Sequence, residues 1–173
     1  SDGGTDWNLT PVGVGVARDR ALREEACRFW REAKAFAPDT DLSDPAAALS
    51  MVAHDGEEMI ATSSLRMIRV PALRRSFAML RCFVAPRWRG TGLREALAAE
   101  NFRLAEAEAA NSDNAALPAG VLTICSGGDR SPLPVDAAGF LLAGYAPGRD
   151  QVRLRWFGHA KIPDTRLGLS ALG

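Results

Sequence analysis

Apolar residues along the chain switch between two periods, and the switches predict the elements. Val12, Val14 and Val16 alternate with glycines, which predicts a first strand over residues 11–17 after a loosely ordered, Gly- and Asp-rich start. From about 19 to 37 the period becomes helical. Leu22, Ala26, Phe29, Ala33 and Phe36 share one face, and Arg23, Arg28, Arg31 and Lys34 fall elsewhere. Pro38 ends that pattern, and Asp39-Thr40-Asp41-Leu42-Ser43-Asp44-Pro45 reads as an acidic loop. Strand-like runs over 48–53 and 59–70 flank His54-Asp55-Gly56-Glu57, where Asp-Gly signals a hairpin because glycine tolerates positive φ. Pro71 and Arg74-Arg75 mark another turn, and residues 77–84 form a third run.

Beyond Val84 the chain passes through Ala85-Pro86 and a short Arg- and Gly-rich segment into residues 92–110, whose Ala, Glu, Leu and Arg predict a helix. Leu93, Ala96, Leu97, Leu104 and Ala107 share one face, while Ala98, Phe102, Ala105 and Ala109 form a second stripe, so the helix is expected to be covered on two sides. After a polar loop with Pro118 and Gly120, residues 121–125 read as a short buried strand. A Gly/Pro/Ser loop over 126–134, a short helix over 135–143 and a strand over 152–157 complete the pattern, and the tail from Lys161 is weakly patterned. The order is strand, helix, three strands, helix, strand, helix, strand, a mixed α/β fold rather than a regular βαβ alternation. No repeat or linker divides the 173 residues, so a single domain over 1–173 is expected.

Charge narrows the partners. Lys plus Arg equals Asp plus Glu at 21 each, which lacks the basic excess that phosphate neutralisation asks of a nucleic-acid binder. Cys27, Cys82 and Cys125 are odd in number and far apart, without CxxC spacing. That argues against a disulfide framework or a metal site and suits a cytoplasmic compartment. Apolar runs are too short to span a bilayer, so no membrane partner is expected.

The stretch with chemical content runs from Met79 to Leu97: a strand, a tight turn with two glycines, then the first turn of a long helix. Helix N-termini carry unpaired N–H groups and a partial positive charge, and so attract anions. Gly90 and Gly92 would let a phosphate approach the backbone, and Arg87 and Arg89 offer guanidinium donors. On physics alone this is either a phosphate cradle or a structural turn.

Val84-x-Pro86 followed by Arg87-x-x-Gly90-x-Gly92 resembles the acyl-CoA motif of the GNAT N-acetyltransferases, Q/R-x-x-G-x-G/A, after the matching strand and before the matching helix. The element order is similar too, and residues 135–143 before Gly144-Tyr145 resemble the family's final helix, which ends in Gly-Phe or Gly-Tyr. The likeness spans about residues 10–158, but only 80–97 are specific. It implies a mixed, mostly antiparallel sheet flanked by helices, acetyl-CoA or another acyl-CoA as co-substrate, and no metal. The reaction implied is direct transfer, in a ternary complex, to a primary amine on a small molecule or peptide. An inactive acyl-CoA-binding or interaction module is the alternative, and a homodimer is left open. In the family, amides equivalent to those of Trp88, Arg89, Gly90, Thr91, Gly92 and Leu93 cradle the pyrophosphate, with Arg87 fixing the loop or touching phosphate. Backbone groups of Cys82, Phe83 and Val84 would pair with the pantetheine arm at a splay between strands.

The departures matter as well. Arg94 stands where a third Gly or Ala is common, and would crowd the phosphates or add a charge to them. Met79 and Arg81 offer no carboxylate where a basic Glu often stands, and Phe140 occupies the position of the general-acid tyrosine. Ser126, at the end of the strand that lines the family's cleft, is the candidate hydroxyl near the sulfur. Cys82 and Cys125 have no histidine nearby and read as core residues, while His54 and His159 read as solvated. Arg81 breaks an apolar face. Asp39, Asp41 and Asp44 either draw a cationic acceptor toward the cleft or are simply solvated.

Overall fold

Strands β1 (Trp7–Pro11), β2 (Leu49–Asp55), β3 (Glu58–Val70), β4 (Arg75–Val84), β5 (Gly120–Cys125), β6 (Leu141–Tyr145) and β7 (Gln151–Trp156) share one sheet in the order β1-β2-β3-β4-β5-β7-β6. Every neighbouring pair is antiparallel except β4 and β5, which run parallel. Helices α1 (Ala17–Glu32) and α2 (Ser43–Ala47) precede β2, and α3 (Leu93–Ala110) connects β4 to β5. The computed structural model describes residues 6–13, 17–111 and 117–160.

Side-chain alternation splits the core between the two faces of the sheet. Leu80 and Val84 of β4 and Val121 of β5 pack with Leu93, Leu97, Ala98 and Phe102 of α3. On the other face Ala26 and Trp30 of α1 pack with Leu49, Val52 and Met59, and Phe29 meets Phe83 edge to face at 5.6 Å. The second apolar stripe of α3 is buried throughout, whereas Ala107 of the first is exposed. Between the stripes lies Asn101, a fully buried polar residue that apolar periodicity does not reveal. Its amide donates to Ser63 Oγ and Leu97 O at 2.8 Å each, and Ser50 Oγ donates to its Oδ1 at 2.6 Å.

Three expectations need correction. The first strand occupies 7–11 rather than 11–17, with Trp7 and Leu9 packed on the α3 side; residues 14–16 lie outside the described residues. Helix α1 stops at Glu32, before Pro38. Lys34 adopts the left-handed conformation (φ 53) and Ala35 N–H donates back to Trp30 O at 2.9 Å, a Schellman-type ending with a lysine in glycine's usual place. No helix forms over 135–143. Asp136 Oδ1 accepts the amides of Ala138 (3.0 Å) and Phe140 (2.9 Å), and Gly139 takes φ 83. This side-chain turn competes with the helix ladder, and β6 begins at Leu141. The expected final helix is therefore replaced by a loop over 126–140.

That loop is held by an arginine. Arg153 of β7 is fully buried, yet its partners are all neutral: Gln151 Oε1 at 3.0 Å, Phe140 O at 3.1 Å, Ser131 O at 2.8 Å and Leu133 O at 2.9 Å. Arg155, two residues on and so on the same face, lies 3.9 Å from the Phe102 ring centroid and donates to Ala138 O.

Candidate functional site

The site begins where the sheet opens. Strand β4 pairs with β5 only through Ala78–Val121, Met79–Leu122 and Leu80–Thr123, whereas its pairing with β3 continues without a register shift to Val84. Beyond Leu80 the two parallel strands part. Because Ala85 N–H donates to Ile60 O, the antiparallel alternation turns the amide and carbonyl of Phe83 toward Thr62 and those of Cys82 and Val84 into the gap. Of the three backbone positions singled out on this strand, Cys82 and Val84 thus face the opening and Phe83 does not. No bulge produces the splay; the loss of β5 pairing does.

The turn after β4 closes the gap at one end. Pro86–Trp88 forms a 3-10 turn in which Trp88 N–H donates to Ala85 O and Arg89 N–H to Pro86 O. Those two amides are therefore spent within the turn. Gly90 and Gly92 take φ of 76° and 87°, and a Cβ built on either meets nothing within 4 Å, so space is open before both. Gly92 caps α3 without a side-chain hydrogen bond, and Ala96 N–H to Gly92 O is the first helical bond. The amides of Leu93, Arg94 and Glu95 precede it and have no intrahelical partner. Thr91 Oγ donates to Trp88 O at 2.6 Å and Leu93 is buried below, fixing the loop from both sides. Trp88 packs edge to face on Trp7 at 6.2 Å, and its Nε1 is enclosed without a partner among the described residues.

The arginines divide the work unexpectedly. Arg87 pairs with Glu58 on the α1 side and lies 5.9 Å from the Trp88 ring centroid, away from the gap. Arg89 Nε donates to Val84 O at 3.2 Å, occupying one of the strand carbonyls. Arg94 reaches across the gap: its Nη2 lies 3.2 Å from Cys125 Sγ and its Nε 3.5 Å from Asp129 Oδ2. Burial opposes its charge, but Cys125, Cys82 and Asp129 together raise its pKa, so it stays protonated. Burial likewise pushes the Cys82 thiol up to about 12, which keeps it neutral and poorly nucleophilic.

These elements enclose a cleft of about 670 Å³. Of the residues singled out from sequence, Cys82, Phe83, Val84, Trp88, Arg89, Gly90, Arg94 and Ser126 line it; Arg87, Thr91, Gly92 and Leu93 do not. Glu95, Gly127, Gly128 and Asp129 also line it and went unnoticed, although the unusual Gly/Pro/Ser richness of that loop was a signal. Phe140 is fully buried against Phe102 and lies outside the cleft, so it does not occupy a general-acid position. Tyr145 is exposed on β6. Asp39, Asp41 and Asp44 are exposed and none lines the cleft; the Asp41 carboxylate instead accepts the side chain and amide of Ser43. Among the described residues, no group of three or more His, Cys, Asp or Glu could hold a metal ion, and no helix is long and apolar enough to cross a membrane.

No protein-family model matches the sequence, and no curated protein matches it. Among solved structures, the chain is similar to an acetyltransferase of the GNAT family from Streptococcus pneumoniae, with 12% identity, a TM-score of 0.54, and coverage of 88% of this chain and 100% of that one. It is also similar to the ribosomal-protein-S18-alanine N-acetyltransferase from Escherichia coli (14% identity, TM-score 0.48, 86% and 90% covered). A third is the spermidine N-acetyltransferase from Vibrio cholerae in complex with CoA and spermine (13% identity, TM-score 0.47, 86% and 92% covered). The mixed seven-stranded architecture, splayed between β4 and β5, is the GNAT fold.

Proposed function

We propose that this chain is an acyl-CoA-dependent N-acyltransferase, moving an acyl group, acetyl in the simplest case, to a primary amine within a ternary complex. The observation that carries the reading is the cleft between β4 and β5, lined at one end by the open, left-handed Gly90 and by Arg94 and Glu95, whose unpaired amides begin α3 just after the left-handed Gly92. Those amides, of Leu93, Arg94 and Glu95, together with the amides of Gly90, Thr91 and Gly92 in the turn, would hold the pyrophosphate, and the Arg94 side chain adds a fixed cation. The amides and carbonyls of Cys82 and Val84 are the strand groups available to the pantetheine arm. An amide there would also donate to the oxyanion that develops on the thioester carbonyl.

In the reaction the amine lone pair attacks the thioester carbon, the C–N bond forms, and the C–S bond breaks as the CoA thiolate leaves. The amine's proton departs to water: no carboxylate of β4 and no tyrosine faces the cleft, and of the carboxylates that line it among the described residues, Asp129 pairs with Arg94 and Glu95 lies on the first turn of α3. The Ser126 hydroxyl lies on the β5 side, within the same cleft. The three free cysteines fit a reducing, cytoplasmic setting.

Calorimetric titration with acetyl-CoA, followed by a thiol-release assay over a panel of primary amines, tests the reading. Ligand at a hundred times its dissociation constant should stabilise the fold by about 2.7 kcal/mol. Gly92→Val should lose binding, at a cost in stability of about 1–3 kcal/mol for a β-branched residue at positive φ. Absence of heat and of a melting shift at millimolar acetyl-CoA would overturn the cofactor assignment. Binding without turnover would leave an inactive module.

A further inference from the structure

On the opposite face of β4 from α3, a pocket of about 180 Å³ adjoins the cleft and shares Cys82 and Phe83 with it. Arg81 is the first residue of β4 beyond its last pair with β5, so its side chain stands at the point where the strands part. Register places Ser64 directly opposite Arg81 and Thr62 opposite Phe83, and residues so paired share a face of the sheet. Trp30, Phe36 and Phe83 supply aromatic walls, with Trp30 and Phe36 meeting edge to face at 5.5 Å.

The polar complement of this pocket is one-sided. Arg81 is exposed and forms no hydrogen bond or ion pair with any described residue. Thr62 Oγ already accepts Trp30 Nε1 at 2.9 Å, so its hydroxyl proton is free to donate. Ser64 adds a second hydroxyl, and among the described residues no Asp or Glu lines the pocket. Nothing here would compensate a cationic substituent, whereas a carboxylate would meet a guanidinium fork and two hydroxyls.

We propose that Arg81 anchors the acceptor, and that the acceptor is a primary amine carrying a carboxylate and an apolar side chain, of the α-amino-acid class. The proposal rests on the acyltransferase reading for its chemistry and adds the substrate class. The aromatic walls take the apolar side chain, and Arg81 takes the carboxylate. Its positive charge also lowers the pKa of the nearby ammonium, so more acceptor is present as the reactive free amine.

The test compares amines that differ only by the carboxylate: phenylalanine with phenethylamine, and leucine with isopentylamine, with spermidine as the cationic probe. In the wild type the carboxylate should raise kcat/KM about tenfold or more, the scale of a charge-assisted hydrogen bond. Arg81→Gln should erase that advantage with acetyl-CoA affinity unchanged, and Arg81→Lys should retain part of it. Equal or better use of phenethylamine or spermidine by the wild type would overturn the proposal, as would a carboxylate preference that survives in Arg81→Gln. If no amine is acetylated, the transferase reading fails. The subsite is then judged from binding of N-acetylphenylalanine and N-acetylphenethylamine in the presence of CoA, followed by tryptophan fluorescence. An Arg81-dependent preference for the carboxylate supports it, and equal binding rejects it.

Discussion

Arg94, in the first turn of α3, donates to the sulfur of Cys125, the last residue of β5, at 3.2 Å across the open end of the sheet. Extending the β4–β5 register by two residues sets Cys125 opposite Cys82, so the guanidinium fills the place where strand pairing would have continued. Only 18% of its side chain is exposed, and Asp129 holds its Nε side. One residue thus ties the N-terminal end of α3 to the strand that parts from β4, and puts a fixed positive charge in the cleft.

Arg94→Ala should therefore weaken acetyl-CoA binding by about tenfold, the worth of one charge-assisted contact, and lower stability by about 1 kcal/mol. Cys125→Ser, which keeps an acceptor for the guanidinium, should do neither to the same extent. Calorimetric titration and urea melts on both variants provide the check. Unchanged affinity in a destabilised Arg94→Ala would restrict the residue to tying helix to strand.

Arg153 is a second buried arginine, with a different job. Replacing it with Met would take the arginine donor from the carbonyls of Ser131, Leu133 and Phe140; Ser131 O keeps Gln151 Nε2 and Phe140 O keeps the Asp136 amide, so only Leu133 O loses the donor described for it. The expected cost is about 2–3 kcal/mol, since Arg153 is fully buried and four hydrogen bonds go with it. Arg155→Met removes one hydrogen bond and a ring contact, and should cost about 1–2 kcal/mol. Denaturant titration should rank the two variants in that order; a larger loss at Arg155 would contradict the assigned role.

These two arginines show where sequence reading succeeds and where it stops. The β2–β3 hairpin, β4, the glycine turn and α3 were legible because period, turn chemistry and helix propensity agree there. The loop over 126–140 was not. Val135, Leu141 and Leu142 around a glycine fit a helical pattern, and what decides against it is the Asp136 turn together with a distant arginine that bonds the loop's carbonyls. Neither is a periodicity. Phe140 was misplaced for the same reason, because its assignment depended on that helix. Within the cleft, the motif located the glycines, but it could not say that the Trp88 and Arg89 amides are spent in a 3-10 turn or that Arg87 turns away to Glu58. Arg81 was visible as a break in an apolar face, yet its meaning needed the Thr62 and Ser64 register beside it.

The Cys82 thiol yields a pH prediction. Burial raises its pKa from an ordinary 9.0 to about 12 in the folded chain. The unfolded chain then releases this proton first as pH rises, so the contribution is fully present below about pH 9 and is lost progressively toward pH 12. Stability should fall by up to about 1.4 kcal/mol per pH unit through that window on account of this one group. Other groups titrate there too, so the comparison is with Cys82→Ala, whose decline between pH 9 and 10.5 should be shallower. Parallel curves for the two proteins would mean that the thiol is not enclosed.

The acidic loop offers the opposite expectation to Arg81 for acceptor charge, and the two can be separated. Asp39, Asp41 and Asp44 are exposed, so their field is screened over about 8 Å at physiological ionic strength. The Asp41 carboxylate is held below the usual range by the Ser43 hydroxyl and amide, which marks it as a local turn-former. None of the three lines the cleft or the pocket at Arg81. Asp39→Asn/Asp41→Asn/Asp44→Asn should therefore leave the ratio of kcat/KM for spermidine to that for phenylalanine within about threefold of wild type, the scale of exposed charges. Arg81→Gln should move the same ratio by tenfold or more, toward the polyamine, and that shift should persist as salt is raised because the guanidinium acts at contact rather than at a distance. A thiol-release assay over both substrates at low and high salt decides between them. Should the triple variant lose polyamine turnover in a salt-dependent way while Arg81→Gln leaves the ratio alone, the acceptor is drawn by the loop and the carboxylate subsite is wrong.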